Sequence, residues 1–398
     1  MSSEITRREA LLRGVGAAGV LATGLHRGAA AQQPDAAAEP PDKSDQAPSS
    51  PVAIRRCPSF EPEIFRQTLD AALDLIGGIG EMVRNKTVTI KINLTGMSWD
   101  DLYGMPAYET YQTHPNTLAA LCAALNDAGA KRIVVVENLY WDVPIEKSLV
   151  DAGWDLKMID SAGGHKVTYE DTRNKGSFPG YSRFQVPWGG YIFPAFDLNQ
   201  RFEKTDVFVS LSKLKQHACA GVTMTIKNLF GITPCSLYGN QAPSENPLSH
   251  RTSIFHGGKK QVPAGVPAEL DHGQPALSTV RVPRIAADVY GARPVDLTIV
   301  DGIRTIRGGE GHWNRDIGLK EPKLLLAGKN GVCTDAIGTA VMGFDPQAPH
   351  GTHPFQGDNH LRLLAAQGMG TIDSDRIEVV GVPLDEAVHP FDPPPPRS

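Results

Sequence analysis

The chain has 398 residues, and 41% of them are hydrophobic, so it can bury a sizeable core. Its 39 basic and 44 acidic residues give a formal net charge of −5. This balance has no polyelectrolyte signature, so it argues against nucleic acid as a partner.

The N-terminal segment 1–31 has the pattern of a twin-arginine export signal. Arg7 and Arg8 precede a weakly hydrophobic run of Gly and Ala, and Ala29 to Ala31 form a small-residue cleavage site. The apolar run is too short to cross a bilayer, so we expect no transmembrane segment in the mature protein. The pattern predicts export by the twin-arginine (Tat) machinery to the periplasm or beyond.

Composition divides the rest of the chain. Residues 32–51 are rich in Ala, Pro, Ser and Asp and predict a disordered linker, and residues 392–398 predict a Pro-rich tail. We expect residues 52–391 to form a single domain. Within it, the long stretch 235–277 has little periodicity, and it predicts a lid-like insertion over a site.

Hydrophobic periodicity predicts strands and helices in alternation. The predicted strands are 87–92, 132–136, 156–159, 207–211, 296–300, 323–327 and 376–380, and the predicted helices are 61–76, 115–128, 222–230, 279–290, 335–342 and 361–366. A hairpin or loop is expected between Asp171 and Phe196. The alternation predicts an α/β fold with a mostly parallel or mixed open sheet and helices on both faces.

The five cysteines are scattered and contain no Cys-x-x-Cys spacing. The chain therefore has no iron–sulfur motif and no zinc-ribbon motif. Cys219 and Cys235 could form a disulfide in an oxidising compartment, although connectivity does not follow from sequence.

Polar residues follow the carboxyl ends of several predicted strands. In a parallel sheet these ends share one edge, so we expect the side chains to converge on one crevice. Thr223 and Lys227 are four residues apart and would share a helical face. The predicted substrate-binding residues are Lys91, Asn93, Asn138, Lys213, Thr223, Lys227 and Asn228, and the predicted catalytic residues are His217, Lys215, Glu310 and Asp301.

These residue types predict an exported enzyme that acts on an anionic small molecule bearing phosphate or carboxylate. Lysines would neutralise the anion and asparagines would orient it. His217 would transfer protons opposite Glu310 or Asp301, or a buried lysine with a lowered pKa would act as base or nucleophile. The absence of Gly-x-Ser-x-Gly, Walker and His-Glu-x-x-His motifs argues against serine hydrolases, nucleotide kinases and zincins.

Two alternatives remain open at this point. In the first, a divalent metal is bound by Asp301, Glu310, Asp335 and His217. Other possible metal-binding groups are His250, His256 and His272, and His350, His353, Asp358 and His360. In the second, the protein is a non-catalytic periplasmic binding or accessory protein, which would need the lysines and asparagines but neither His217 nor Glu310.

Several short motifs together resemble one known family, the family called domain of unknown function 362. They span about Val88 to Pro346 and include Lys213-x-Lys215-x-His217, Gly221-Val-Thr223, Lys227-Asn228-Leu-Phe-Gly231, Asp301-Gly302 and Thr334-Asp335-Ala336. The acidic loop departs from the usual pattern of the family, because His312 and Trp313 follow Glu310 and Gly311. Some relatives carry ferredoxin-like cluster motifs, which this chain lacks. The resemblance supports the location of the site but implies no particular activity.

Overall fold

A computed structural model describes residues 42–97, 100–244, 250–270 and 274–391. The predicted export signal, residues 32–41 of the predicted linker, the tail 392–398 and His272 lie outside the described residues, so the export signal and the tail stay predictions. No helix in the described ranges is both long enough and apolar enough to cross a membrane.

The described chain alternates between strands and helices as the periodicity predicts. The strands are β1 (Val52–Arg56), β2 (Thr87–Lys91), β3 (Arg132–Glu137), β4 (Val167–Asp171), β5 (Tyr181–Gln185), β6 (Ala195–Asn199), β7 (Val207–Lys213), β8 (Gln216–His217), β9 (Gly221–Val222), β10 (Leu297–Gly302), β11 (Thr305–Arg307), β12 (Gly318–Lys320), β13 (Leu324–Gly328) and β14 (Val379–Gly381). The helices are α1 (Pro62–Leu75), α2 (Gly80–Val83), α3 (Ala107–Thr110), α4 (Pro115–Asp127), α5 (Ile145–Asp151), α6 (Leu156–Ala162), α7 (Arg201–Lys204), α8 (Met224–Leu229), α9 (Cys235–Tyr238), α10 (Ser278–Ala292), α11 (Gly331–Val341), α12 (His360–Ala366) and α13 (Leu384–Ala387).

Eight strands form one open sheet in the order β14-β1-β13-β10-β7-β2-β3-β4. The run β10-β7-β2-β3-β4 is parallel throughout, whereas β13 is antiparallel to both of its neighbours. The predicted fold class, a mostly parallel or mixed open sheet, is therefore confirmed. The predicted hairpin is present as the antiparallel pair β5 and β6.

Helices cover both faces of this sheet, as predicted. Helices α1, α4 and α6 pack on one face, where Leu69, Leu121 and Ile159 join one apolar cluster. Helices α8, α10 and α11 pack on the other face, around a second cluster that includes Ile226 and Ile285. Strands between two such layers are buried on both sides, which explains why every residue of β7 is buried.

The connections that follow β2 and β7 cross opposite faces of the sheet. The chain leaves β2 through α4 on one face to reach β3, and it leaves β7 through α8 and α10 on the other face to reach β10. Because β2 and β7 are neighbours, a crevice opens beyond their carboxyl ends. Such a reversal is where open α/β sheets bind ligands.

One predicted strand is wrong. Residues 156–159 form the start of helix α6, and the strand that follows β3 in the sheet is β4, which begins at Val167. The side chain of Asp155 accepts hydrogen bonds from the backbone N–H groups of Lys157 and Met158, so it caps the helix. A pattern of four residues is compatible with a short strand and with one helical turn. The N-cap at Asp155 favours the helix.

Two predicted boundaries also differ. Helix α11 begins at Gly331, capped by Asn330, so Asp335 lies inside it rather than at its start. Residues 42–51 belong to the predicted linker, yet they pack on the domain: Ala47 is buried, and the carbonyl of Pro48 accepts a hydrogen bond from the Thr371 N–H. The packed chain therefore begins ahead of Val52.

Candidate functional site

A narrow crevice lies beyond the carboxyl ends of β2, β3 and β7. Its volume is about 60 Å³, and since one water needs ~10–15 Å³, it has room for a small polar molecule. Its lining includes predicted site residues from four separate segments. They are Lys91, Asn93, Asn138, His217, Thr223, Lys227 and Asn228, joined by Glu137, Tyr140, Phe230, Gly231 and Arg251 among others.

Lys91, at the end of β2, forms a buried ion pair with Glu137, at the end of β3. Its Nζ lies 2.7 Å from Glu137 Oε1. Glu137 also accepts hydrogen bonds from the N–H groups of Leu94 and Asn138. Burial lowers the pKa of Lys91, and the Glu137 carboxylate opposes this. A Cβ on Gly231 would lie 3.0 Å from Lys91 Nζ, so the glycine lets α8 end against this pair.

Asn228, in α8, ties the helix to β2 and to the loop that follows it. Its Oδ1 accepts hydrogen bonds from Lys91 Nζ at 3.3 Å and from Asn93 Nδ2 at 3.1 Å. Its Nδ2 donates to Ser210 Oγ and to the Lys91 carbonyl. With both ends of the amide engaged, Asn228 holds the wall of the crevice in place.

Lys213 and Asp301 lie outside the crevice lining. Lys213 Nζ is 2.9 Å from Asp301 Oδ2, and both side chains are fully buried. Asp301 Oδ1 accepts a hydrogen bond from the Ile303 N–H. Burial lowers the pKa of Lys213, while Asp301 opposes the shift. The structure thus places a predicted substrate-binding lysine and a predicted catalytic acid in one ion pair beneath the site.

Lys215 also lies behind the crevice, where oxygens surround its amine. Nζ donates to Asn93 Oδ1 at 3.2 Å, to the Glu310 carbonyl at 3.0 Å and to the Tyr111 carbonyl. Burial lowers its pKa well below the ordinary value. A lysine has three N–H donors, and all three are used here.

His217 lines the crevice with a defined tautomer. Its Nδ1 accepts hydrogen bonds from the N–H groups of Cys219 at 3.1 Å and Ala220 at 3.3 Å. Burial lowers its pKa well below the ordinary value, although Glu310 opposes this. The ring is therefore neutral near neutral pH, with its proton on Nε2, and it acts as a hydrogen-bond donor rather than as a charged acid.

Glu310 fixes the glycine-rich loop against the β8–β9 hairpin. Its carboxylate accepts hydrogen bonds from the Ala218 N–H at 2.9 Å and from Trp313 Nε1 at 3.1 Å. Burial opposes its charge, but the protonated form of His217, these two donors and Lys227 lower the pKa to about 2. Glu310 is ionised and lies close behind the crevice, 3.7 Å from His217 Nδ1.

Lys227 differs from the other lysines of the site. Its Nζ lies 3.9 Å from the centre of the Phe230 ring, and it makes no hydrogen bond or ion pair with any residue of the described ranges. Burial lowers its pKa to about 8, and nearby Arg251 and Lys91 add to the shift while Glu310 opposes it. The Lys227 amine can therefore contact a ligand either as a charged ammonium or as a neutral amine.

Arg251 lines the crevice although no sequence pattern indicates it. This buried guanidinium donates to the Thr233 carbonyl at 2.9 Å and to Asn138 Oδ1 at 3.1 Å. No carboxylate of the described chain lies within ion-pair distance of it, although Tyr140 Oη is a weak partner at 3.4 Å. Arg251 comes from the segment 235–277, predicted as a lid, and no local motif distinguishes it from other arginines.

Asn138 also lines the crevice, and its side chain has a donor that is unused within the described ranges. Its Oδ1 accepts from Arg251 and from the Cys235 N–H. Its Nδ2 is buried without a hydrogen-bond partner among the described residues. A buried donor with no partner is costly, and a ligand that accepts from it removes that cost.

The residues considered for a metal do not form a cluster of three or more in the described part of the chain, although His217 and Glu310 are neighbours. Asp335 Oδ1 and Oδ2 accept from the N–H groups of Thr225 and Ile226, so it caps helix α8 from α11. His350 pairs with Asp358, which in turn binds Arg284. Within the described ranges, no group of three or more His, Cys, Asp or Glu has a metal-binding arrangement.

Other groups considered from the sequence are also separate. Cys219 and Cys235 are both free thiols. The segment 235–277 places Ile254 and Phe255 in the core, where Phe255 packs on Phe230. The segment therefore contributes both to the core and, through Arg251, to the crevice wall, and its predicted role as a lid stays a prediction.

Comparisons with known proteins agree with the sequence motifs. The family model described as a domain of unknown function (DUF362) matches residues 88–340. A thylakoid-associated protein of Synechocystis sp. is 27% identical over 196 residues, which are 46% of this chain and 50% of that protein. The chain thus spans about half the length of that curated relative. A crystal structure of a Thermotoga maritima protein covers 70% of this chain and 57% of its own, with 11% identity and a TM-score of 0.33. Because the family model covers more than half of its residues, the chain belongs to the family named domain of unknown function 362.

Proposed function

We propose that the protein is an enzyme that binds a small phosphate- or carboxylate-bearing molecule in this crevice and acts on it by acid–base chemistry. The observation that carries the proposal is Lys227, whose amine faces the crevice without a partner in the described part of the chain.

The distribution of charge supports an anionic ligand. The cations of Lys91 and Lys213 each have a buried carboxylate partner. Lys227 and Arg251 line the same crevice, and neither has an ion pair within the ranges described. A buried charge without a counter-charge is unfavourable, so an anion that supplies the counter-charge would bind favourably.

The donors are also suited to acid oxygens. Asn138 Nδ2 is unused within the described structure. Among the described residues, Arg251 Nη1 has one hydrogen-bond partner, Tyr140 Oη, at 3.4 Å. Arg251 Nε and Nη2 already donate to the Thr233 carbonyl, so Nη1 and Asn138 Nδ2 are the donors left for the oxygens of a carboxylate or a phosphoryl group.

The acid–base role falls to Lys227 rather than to His217. Burial lowers the pKa of Lys227 to about 8, so the amine can gain or lose a proton near physiological pH. His217 has its Nδ1 occupied by two backbone donors, so it would polarise or orient the ligand through Nε2–H. Binding without turnover is the alternative.

The proposal is tested with malonate and inorganic phosphate as probes, measured by calorimetry and by the shift in Tm near neutral pH. We expect both to bind, and Lys227→Met to weaken malonate binding at least about tenfold, which corresponds to ~1.4 kcal/mol for the loss of a charged contact. Exposed Lys131→Met is the matched control and should leave binding unchanged. If neither anion binds the wild-type protein, or if both variants bind equally well, the crevice is not an anion site.

A further inference from the structure

The four lysines of the site differ in how many of their donors are used. Lys91 Nζ contacts Glu137, Asn228 and the Ile92 carbonyl, and Lys213 Nζ pairs with Asp301. Lys215 Nζ has three oxygen partners. Among the described residues, only an aromatic ring contacts the amine of Lys227. Lys227 is therefore the one of these four lysines whose nitrogen can approach a ligand atom without first breaking a hydrogen bond or an ion pair within the described structure.

The surroundings of this nitrogen favour a particular orientation of a ligand. Phe230 covers one side of the amine at 3.9 Å, which leaves the crevice side open. Arg251 and Asn138, which contact each other at 3.1 Å, belong to the same lining. A small acid whose carboxylate binds Arg251 and Asn138 would place its next carbon atoms toward the rest of the lining, which includes Lys227.

We propose that Lys227 is a nucleophile that forms an imine with the carbonyl carbon of a small oxo acid, whose carboxylate is bound by Arg251 and Asn138. This inference rests on the proposed anion site and specifies its substrate class. The lowered pKa of Lys227, about 8, supports it because a fraction of the amine is neutral at neutral pH.

The step is balanced without a co-reactant. The lone pair of the neutral Nζ attacks the carbonyl carbon, and a C–N bond forms as the C–O π bond breaks. Both amine protons pass to the former carbonyl oxygen, which leaves as water when the C=N bond is complete. The neutral His217 can donate a hydrogen bond from Nε2 to this oxygen, since its Nδ1 is occupied by backbone N–H groups.

The inference is tested by reductive trapping. The full-length protein is incubated with pyruvate and cyanoborohydride, and peptides are mapped by mass spectrometry. We expect one reduced pyruvyl group on Lys227, protection by excess malonate, and no modification at this position in Lys227→Arg, which keeps the charge. Lys131→Arg, at an exposed lysine, is the matched control and should be trapped at Lys227 as the wild type is.

The outcomes separate this inference from the proposed function. If malonate binds but pyruvate labels only exposed lysines, or no lysine, Lys227 is not a nucleophile while the anion site stands. If malonate does not bind and pyruvate leaves Lys227 unmodified, both are overturned. If Lys227→Arg does not fold, the mapping and the malonate protection in the wild type decide the question alone.

Discussion

Cations lie both at the strand ends and on the helix α8 side of the crevice. They have carboxylate partners at the strand ends, but none is within ion-pair distance among the described residues on the α8 side. At the strand ends, Lys91 and Lys213 are buried against Glu137 and Asp301 at 2.7 and 2.9 Å. On the other side, Lys227 contacts an aromatic ring and Arg251 contacts carbonyl, amide and phenol oxygens.

This difference separates residues that support the site from residues that face a ligand. A lysine that a buried carboxylate already neutralises gains little from an anionic substrate, and disrupting the ion pair costs stability. A cation that lacks a counter-charge in the protein gains most from an anion supplied by a ligand. Substitutions in each region test this separation.

The largest expected effect is on stability, at the strand ends. Lys213→Met leaves Asp301 buried without its partner, so we expect the free energy of unfolding to fall by ~3–5 kcal/mol in denaturant titrations. The exposed pair Lys147 and Asp151, with side chains 63% and 46% accessible, is the matched control. Lys147→Met should change the free energy of unfolding by less than about 0.5 kcal/mol.

A double variant sharpens this test. Lys213→Met with Asp301→Leu removes both charges, and it should recover part of the lost stability because no unpaired charge remains. If Lys213→Met costs no more than Lys147→Met, the ion pair does not support the site as described.

The second expected effect is a pH dependence on the α8 side. Malonate remains a dianion from neutral to alkaline pH, so the change in its affinity reports on the protein. The ammonium form of Lys227 binds the anion, and this form is lost as pH rises through its pKa of about 8. We therefore expect malonate affinity, measured by calorimetry, to fall as pH rises through this value, by up to about tenfold per pH unit if the neutral amine contributes no binding.

Lys227→Arg provides the control for this profile, because the guanidinium stays protonated over the whole range. Its malonate affinity should be flat across the same pH values. A wild-type profile that is flat or that rises with pH would show that Lys227 does not supply the charge.

The smallest expected effect concerns His217. Because the ring is neutral and donates from Nε2, His217→Gln should retain malonate affinity within about twofold, a difference of ~0.4 kcal/mol. Any turnover that is found should fall much further. If His217→Gln abolishes both binding and turnover, the catalytic assignment of His217 loses its support.

Much of the fold could be predicted from local patterns. Pro115 at the first position and the apolar stripe of α4 predict that helix within one residue of its observed end. The predicted strand at 156–159 is wrong because a four-residue, mainly apolar pattern fits either a strand or a helix, and the Asp155 cap favours a helix. The antiparallel direction of β13 has no local signal, since it depends on pairing with β1 and β10.

The candidate site could be predicted in part. The polar residues after β2, β3 and β7 were found because strand ends share an edge. Arg251 was missed because it reaches the crevice from a segment without periodicity. The sequence also does not show that Lys213 is paired with a carboxylate while Lys227 faces the crevice. Both are lysines in one polar stretch, and only their contacts in the folded chain differ.

Local sequence patterns predict the alternation of strands and helices, and hence the open α/β sheet with polar residues at one edge. These features follow from hydrophobic periodicity and end signals, which are local. Which cations are neutralised and which remain available for a ligand becomes apparent only in the folded chain. That depends on distances between side chains far apart along the chain, such as the 2.9 Å between Lys213 and Asp301, and the strength of a charge pair depends on such distances and on burial.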